Sequence, residues 1–309
     1  MNSTAPTQVS TVAPRIVNRR QRGEWLEGLL LLSPAILLLS SFVVWPAISG
    51  AILSVQREDP FGKSREWVGF ANYLELASRP EFLSSMITTL KFTLVVAPLE
   101  LLLGLFAALL IWRPFVGSNF FRTLFFLTTA VPTSVAAVAW GWFLNPLSGW
   151  ANWFAGWFGL PAQPWLTDPA FAIWTLGVIT AWAGVGFVAI LLTAGLQGIP
   201  EDLYEAARLD GANGLVQFWK ITLPLLSPTL FLVGLLILFR SLTAFGQIHL
   251  LTKGGPAEST FVWVYRVYQD AFFNFRYTYA AAEGLTLFLA LLLLAALQFR
   301  LFGKKVHYE

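Results

Sequence analysis

The chain has 309 residues, of which 56% are hydrophobic and only 12% are charged. Soluble domains usually carry about a quarter charged residues, so this composition, with a mean hydropathy of +0.65, indicates a membrane protein. The net charge of +3, without a block of basic residues on a polar face, argues against nucleic acid binding. The absence of cysteine excludes disulfides, thiolate catalysis and cysteine-bound metals, and two histidines are too few for a histidine metal cluster.

The N-terminal segment is polar, and its arginines at positions 15, 19, 20 and 22 are typical of the charged region of a signal peptide. The apolar stretch that follows, residues 25–55, is too long for the core of such a peptide. It therefore predicts a retained first membrane span.

Six segments contain the roughly 20 mostly apolar residues that a membrane span needs. They are residues 26–53, 85–112, 123–144, 171–196, 225–251 and 280–302. The alternation of barrel strands is absent, so the fold class is an all-α membrane protein with six transmembrane helices. Gly184 and Gly186 inside the fourth segment predict close helix packing.

Lysine and arginine counts set the predicted orientation. With the N-terminus in the cytoplasm, eleven of these residues fall on the inner side and seven in outer loops. Both termini and the polar segment 205–224 are then cytoplasmic. The predicted organisation is a tail (1–24), a first transmembrane helix with its outer loop (25–84), a core domain of five transmembrane helices (85–303) and a second tail (304–309).

Two outer segments, residues 67–82 and 261–275, have apolar residues at helical spacing and predict amphipathic helices on the membrane surface. The turn between the third and fourth spans is rich in tryptophan. These residues are Trp140, Trp142, Trp150, Trp153, Trp157 and Trp165. An interfacial aromatic belt is the favoured interpretation, and a sugar-stacking platform is the alternative.

Two charged residues of opposite sign, Glu100 and Arg240, fall near the middle of the second and fifth spans. Intramembrane charges are costly and normally pair or line a polar cavity. We expect an interhelical ion pair that is either a structural link or a device in which Arg240 faces the cavity and attracts a phosphate or polar solute. Gln247 and His249, further out in the fifth span, are candidates for hydrogen bonds to a polyol.

A polar elbow, residues 199–224, separates the fourth and fifth spans. Pro200 followed by two acids predicts a helix start, and Asp210-Gly211 predicts its end, because glycine readily adopts the left-handed conformation. A second short helix is expected to run to about residue 221. The first helix carries a small apolar stripe that predicts an exposed docking surface: Leu203, Ala206, Ala207 and Leu209.

The elbow holds Glu205-Ala206-Ala207, then three residues, Gly211, nine residues and Ile221-Thr222-Leu223-Pro224. This pattern resembles the complete EAA loop of binding-protein-dependent ABC importer permeases, of the type I fold. The resemblance extends from about residue 25 to the C-terminus and includes WVGFANY at 67–73 and LTKGGP at 251–256.

Within that family the chain is most similar to sugar and glycerol-3-phosphate permeases. The segments DPFG at 59–62 and ALQFR at 296–300 resemble the A-type glycerol-3-phosphate permeases. One position departs from the pattern: many sugar permeases have Phe-Asp where this chain has Phe245-Gly246.

The resemblance implies a permease subunit of the bacterial inner membrane. By alternating access it would import a sugar or a glycerol-phosphate-type solute, such as glycerol-3-phosphate, a glycerophosphodiester, maltose or trehalose. Its implied partners are a second homologous permease, two copies of a cytoplasmic ATPase, an extracytoplasmic solute-binding protein and membrane lipid. The ATPases would bind ATP and Mg²⁺, and this chain would hold no cofactor, metal or catalytic residue.

The same resemblance assigns coupling to the ATPase to Glu205, Ala206, Ala207, Asp210 and Gly211. Glu205 would contact the ATPase, and Gly211 would permit the bend.

Two other classes of protein are alternatives to this interpretation. An ATP-independent secondary transporter would be expected to show internal repeats and broken helices, and no matching halves are found. A membrane-embedded enzyme or structural subunit would need a cluster of ionisable residues in the spans, where only Glu100 and Arg240 lie so deep.

Overall fold

A computed structural model describes residues 19–59 and 64–302, with side chains over residues 27–59 and 64–301. The predicted tails 1–24 and 304–309 lie outside the described residues, apart from the helical backbone of residues 19–24. The DPFG segment also lies outside them, apart from its first residue. The chain divides into a unit ending at Ile52 and a unit beginning at Leu53.

The first unit is one long apolar helix with a local irregularity. Helix α1 (Arg19–Leu39) continues through a π-helical turn (Ser40–Val44) into α2 (Trp45–Ser54). Pro46 explains the widened turn, because proline donates no hydrogen bond and its ring clashes with the carbonyl four residues earlier. Residues 27–54 form a candidate membrane span with a mean hydropathy of 2.2.

A short hairpin, which the sequence analysis did not predict, follows α2. Strands β1 (Gln56–Glu58) and β2 (Arg65–Trp67) pair in antiparallel fashion. The predicted surface helix 67–82 is therefore shorter than expected: α3 spans only Ala71–Ser78. Pro80 explains its end, because it holds the preceding residue in an extended conformation and then begins the next helix.

Helix α4 (Pro80–Ile111) is the second span, extended by one turn beyond the prediction at its start. The predicted third span, 123–144, is not one continuous helix. It is built from α5 (Ser118–Ala130) and α6 (Thr133–Phe143), which meet at 104°. Pro132 accounts for the break, because the residue before it is extended and Pro132 itself precedes the first turn of α6.

The tryptophan-rich turn contains a short helix, α7 (Trp150–Trp157), with Trp150, Trp153 and Trp157 exposed. Asn152 organises this turn, since its carboxamide oxygen accepts hydrogen bonds from the Trp165 indole at 2.8 Å and the Gln163 amide at 3.0 Å. Helix α8 (Pro169–Gln197) is the next span and begins with Asp168 capping the Ala170 amide.

The elbow consists of α9 (Glu201–Leu209), α10 (Gly214–Gln217), a π-helical turn (Phe218–Thr222) and α11 (Leu223–Leu225). The two predicted short helices are thus present, and the second one widens into a π turn before Pro224.

Helix α12 (Ser227–Leu242) is followed, after a short break, by α13 (Gly246–Leu251), and together they form the fifth predicted span. Helix α14 (Trp263–Phe272) is the predicted second surface helix. Helix α15 (Tyr277–Phe302) is the last span. The described residues contain five candidate spans, or six if the bent pair α5–α6 counts as one.

The core of the second unit lies where α4 packs along α8. Glycines permit this approach: a Cβ on Gly104 would overlap Val188, and one on Gly177 would overlap Val95. The close packing predicted at Gly184 is confirmed, since a Cβ there would overlap the Glu100 carboxylate. Small residues at such contacts allow the close backbone approach on which helix association in lipid depends.

We predict that Gly177→Val lowers the free energy of unfolding by roughly 1–3 kcal/mol, because the added methyl groups have no room against Val95. The matched control is Gly50→Val, since no atom lies within 4 Å of a Cβ on Gly50. Thermal unfolding of the detergent-purified complex measures both variants. Equal losses in the two would contradict the packing argument.

Candidate functional site

The elbow turns sharply at Gly211, whose φ of +81° lies in the left-handed region that favours glycine. The turn closes the end of α9 because the amides of Gly211 and Ala212 donate to the carbonyls of Arg208 and Ala207, at 3.1 and 2.8 Å. Asn213 then caps α10 by accepting a hydrogen bond from the Val216 amide at 3.0 Å. The bend is thus specified by local backbone chemistry.

The inner face of α9 is anchored by Tyr204, which is only 2% exposed. Its hydroxyl lies 3.0 Å from the Thr222 hydroxyl at the far end of the elbow. Its ring lies 5.7 Å from the ring of Trp112, directly after α4. Tyr204 therefore joins the two ends of the elbow to each other and to the second span.

An ion-pair network adds a second anchor at the start of α9. The Glu201 carboxylate accepts from Arg113 and from Arg208, each at 3.1 Å. The Arg113 guanidinium also lies 5.3 Å from the centre of the Tyr204 ring. Because these charges are about half exposed, they contribute orientation more than stability.

Sequence reasoning missed Tyr204 and Arg113 as site residues. A lone large aromatic side chain in a short polar helix was the available signal for a buried face. Nothing in the sequence pattern indicated Arg113, because its partner Glu201 lies 88 positions away.

The predicted coupling residues lie on the outer side of this bend. Glu205, Ala206, Asp210 and Gly211 are exposed, and Ala207 is partly buried. The predicted apolar stripe is also open at its ends, where Leu203 and Leu209 are exposed. A face of small and apolar side chains beside two carboxylates is suited to contact with another protein.

The predicted ion pair between the second and fifth spans is present. Nη1 of Arg240 on α12 donates to Oε1 of Glu100 on α4 at 2.8 Å. The Glu100 side chain is 1% exposed and that of Arg240 is 42% exposed. The carboxylate fits beside the bare backbone of Gly184, and the guanidinium lies 5.6 Å from the Phe187 ring. One member of the pair is therefore enclosed, and the other still has free surface.

The structure places Gln247 and His249 on α13, beyond the break after α12. Both are partly buried. The His249 ring stacks on Phe245 at 5.1 Å and meets the edge of Tyr268 at 5.3 Å. His249 thus belongs to an aromatic cluster, whereas Arg240 contacts Glu100 and Phe187.

Tyr265, on the surface helix α14, is the buried member of this aromatic cluster. Burial raises the pKa of its phenol, and the neighbouring Tyr268 raises it further. The phenol therefore stays neutral at physiological pH.

The departure at Gly246 has a steric reason in this chain. A Cβ at this position would lie 2.8 Å from Cγ2 of Thr133, at the start of α6. An aspartate there would require Thr133 to move.

Among the described residues, no group of three metal-binding side chains lies together.

Residues 100–308 match the family described as "Binding-protein-dependent transport system inner membrane component". The chain belongs to this family. It is therefore a permease component, not an enzyme, and a multi-pass protein of the bacterial inner membrane. The resemblance drawn from the elbow is confirmed, and this family is neither of the two alternative classes.

Similar full-length permeases include three named "sn-glycerol-3-phosphate transport system permease protein UgpA". The protein of Agrobacterium fabrum is 36% identical and that of Rhizobium meliloti 38%, each over 90% of this chain and 95% of its own length. The protein of Pectobacterium atrosepticum is 34% identical over 93% of this chain and 97% of its own length. The sub-family resemblance is thereby confirmed.

Two solved structures share the fold. One is a bacterial ABC transporter involved in the import of the acidic polysaccharide alginate, with a TM-score of 0.79 and 24% identity over 93% of this chain and 98% of that chain. The other is a bacterial alginate ABC transporter in complex with alginate pentasaccharide-bound periplasmic protein, with a TM-score of 0.81 and 23% identity over 93% and 96%. Our chain thus has the fold of an ABC importer permease.

We predict a strong thermodynamic coupling between Glu100 and Arg240. Arg240→Gln should lower the free energy of unfolding by about 3 kcal/mol, because it leaves a buried carboxylate without its charge partner. The combined change with Glu100→Gln should cost clearly less than the sum of the single changes. Tryptophan fluorescence during denaturation of the purified complex measures the cycle, and additive costs would contradict the pairing.

Proposed function

We propose that this chain is one half of a permease pair that imports a glycerol-phosphate-type or sugar-type solute, powered by two copies of a cytoplasmic ATPase. An extracytoplasmic solute-binding protein delivers the solute, and ATP and Mg²⁺ are bound by the ATPases. The transported solutes in the names of the similar proteins, glycerol-3-phosphate and an acidic polysaccharide, support an anionic polyol as the substrate class.

The observation that carries this proposal is the geometry of the elbow. Its outer face is open for contact, while Tyr204 and Glu201 tie its inner face to the end of α4 and to the residues before α12. A displacement of α9 would therefore be transmitted to two membrane helices with little bending of the elbow itself.

Movement of the ATPases on ATP binding would then rotate the permease halves as rigid bodies between inward-open and outward-open states. In this scheme Glu205 contacts the ATPase, the two alanines allow close approach, and Asp210 with Gly211 preserves the bend.

Arg240 is the residue that we assign to the solute path. Glu100 occupies one of its terminal nitrogens, and the exposed remainder of the guanidinium can receive an anionic group. A guanidinium has five N–H donors in a planar array that suits phosphate and carboxylate. Glu100 then acts as the group that orients Arg240. Gln247 and His249 are assigned to solute hydroxyl groups further along the path.

The coupling role predicts that elbow variants uncouple ATP hydrolysis from transport. Glu205→Arg and Gly211→Pro should reduce solute-stimulated ATPase activity at least about tenfold, equivalent to about 1.4 kcal/mol. The first change reverses the docking charge, and the second removes the conformation at φ +81°. The assay uses the complex in lipid with its binding protein, and glycerol-3-phosphate, glycerophosphocholine, maltose and trehalose are added in turn.

The matched control is Glu66→Arg, which reverses an exposed charge on β2, outside the elbow. Normal coupling in both elbow variants would show that another surface docks the ATPase. Uptake of solute without ATP would show that ATP hydrolysis does not power transport by this permease.

The path assignment predicts a charge-selective effect at Arg240. Arg240→Gln should raise the KM for glycerol-3-phosphate uptake about tenfold or more, because a charge-assisted contact is worth about 1.5–3 kcal/mol. Arg240→Lys keeps the charge and should lose less, while Glu100→Gln should retain most uptake.

Uptake of radiolabelled solute into proteoliposomes measures this prediction, with the amount of folded complex as the control. An equal loss of uptake in Arg240→Gln and Glu100→Gln would indicate that the ion pair only holds the two helices together.

A further inference from the structure

A polar cavity of about 440 Å³ lies where α4 and α15 begin. Its walls come from the α3–α4 junction, from α14 and from the first turns of α15. Since α4 runs from this cavity to Trp112 beneath the elbow, the cavity lies at the opposite end of the span. Six charged side chains line it: Arg79, Arg266, Arg276, Glu81, Asp270 and Glu283.

The deepest of these charged groups is Glu283, which is fully buried at 0% exposure. Within the described part of the chain, neither of its carboxylate oxygens has a hydrogen-bond partner of good geometry. The Asp270 carboxyl and the guanidinium groups of Arg266 and Arg79 are close enough to interact with it. The hydroxyl of Tyr279 and Nε of Arg266, which also line the cavity, are buried without a hydrogen-bond partner as well. Each such group is costly unless something in the cavity satisfies it.

The unsatisfied atoms in this cavity require both hydrogen-bond donors and hydrogen-bond acceptors from a ligand. A carboxylate such as Glu283 only accepts hydrogen bonds, so it requires a donor, preferably a cationic one. Nε of Arg266 only donates, so it requires an acceptor, preferably an anionic one. The three arginines and three carboxylates of the lining cancel in formal charge. The complementary ligand is therefore a small zwitterion that contains both a primary ammonium and an oxyanion.

The arginine side of the cavity is already held in place. The Arg79 guanidinium is ion-paired with Glu75 and lies 4.6 Å from the centre of the Tyr279 ring. On α14, Asp270 is 6% exposed and accepts from the Asn274 amide at 2.7 Å. Groups of both signs thus alternate along the lining, since Arg266 and Asp270 share α14 and Glu81 closely follows Arg79.

We propose that this cavity binds the phosphoethanolamine headgroup of a phosphatidylethanolamine lipid in the leaflet opposite the elbow. The phosphate contacts Arg79, Arg266 and Arg276, and the ammonium donates to Glu283 and Asp270. The volume falls within the roughly 300–1,000 Å³ typical of small-molecule sites and far exceeds the roughly 30 Å³ of a single water.

The position of the cavity identifies the source of the headgroup. The spans Pro80–Ile111 and Tyr277–Leu301 both begin at the cavity, so it lies at the level of lipid headgroups. Just beyond it, Leu83 and Ile87 of α4 and Phe288 of α15 are exposed apolar side chains along which acyl chains can lie. The site does not depend on which solute the permease transports.

The test measures lipid retention by the intact complex. The complex is purified in detergent until free of lipid, and phosphatidylethanolamine, phosphatidylcholine or phosphatidylglycerol is added at equal concentration. Native mass spectrometry counts the bound lipid, and thermal unfolding measures its effect. Phosphatidylethanolamine should be retained about tenfold better than the other two and should raise the unfolding temperature. Choline lacks N–H donors for Glu283, and glycerol lacks the cation.

Two variants connect this preference to the cavity. Glu283→Gln and the rim variant Arg276→Gln should each abolish the preference for phosphatidylethanolamine, whereas the control Glu66→Gln should keep it. If Glu283→Gln fails to fold, Arg276→Gln decides, because its side chain is exposed.

Three results would overturn the proposal. Equal retention of the three lipids by the wild-type complex would mean that the cavity holds only water. An unchanged preference in Arg276→Gln would place the lipid elsewhere. An equal rise in unfolding temperature with soluble glycerophosphoethanolamine would identify a soluble ligand instead of a lipid.

Discussion

Close contact between α4 and α8 is the constraint on which the rest of the second unit depends. In a bilayer the hydrophobic effect does not drive helices together, so they associate through tight packing and a few polar links. Gly104, Gly177 and Gly184 leave the space for this contact. Glu100 occupies the space beside Gly184 and reaches α12 through Arg240. One interface therefore positions three spans and encloses the carboxylate that orients the half-exposed guanidinium.

The same helices continue into the elbow, and this continuity connects the fold to transport. The chain leaves α8, bends at Gly211 and returns into α12, while Tyr204 and Glu201 fasten the bend to the end of α4. Transmission of movement requires a rigid attachment to the spans and an accessible surface for a partner. The elbow has both, on its inner and outer faces. Under the proposed coupling, the free energy released at a docked ATPase would act on packed helices without being lost in a flexible loop.

Charged groups in the second unit occupy separate places with separate chemistry. The elbow network around Glu201 is half exposed and orients a surface helix. The Glu100–Arg240 pair is half enclosed within the spans. The cavity around Glu283 collects charges of both signs at the opposite membrane boundary. Because burial of a charge is costly, each of the buried carboxyl groups has a partner or implies a ligand.

The sequence by itself determined the class, the approximate spans, the two elbow helices and the bend at Gly211, because hydropathy, proline and glycine act over a few neighbouring residues. Even the pairing of Glu100 with Arg240 followed from sign and depth. Only the tertiary structure decided the 104° break at Pro132, the short hairpin and the buried face of Tyr204. It alone brought Arg79 to a cavity shared with α14 and α15. The buried face of Tyr204 and this cavity depend on contacts between residues far apart in the chain, which no local pattern encodes. The break and the hairpin involve near neighbours, but a proline in an apolar segment allows either a kink or a full break.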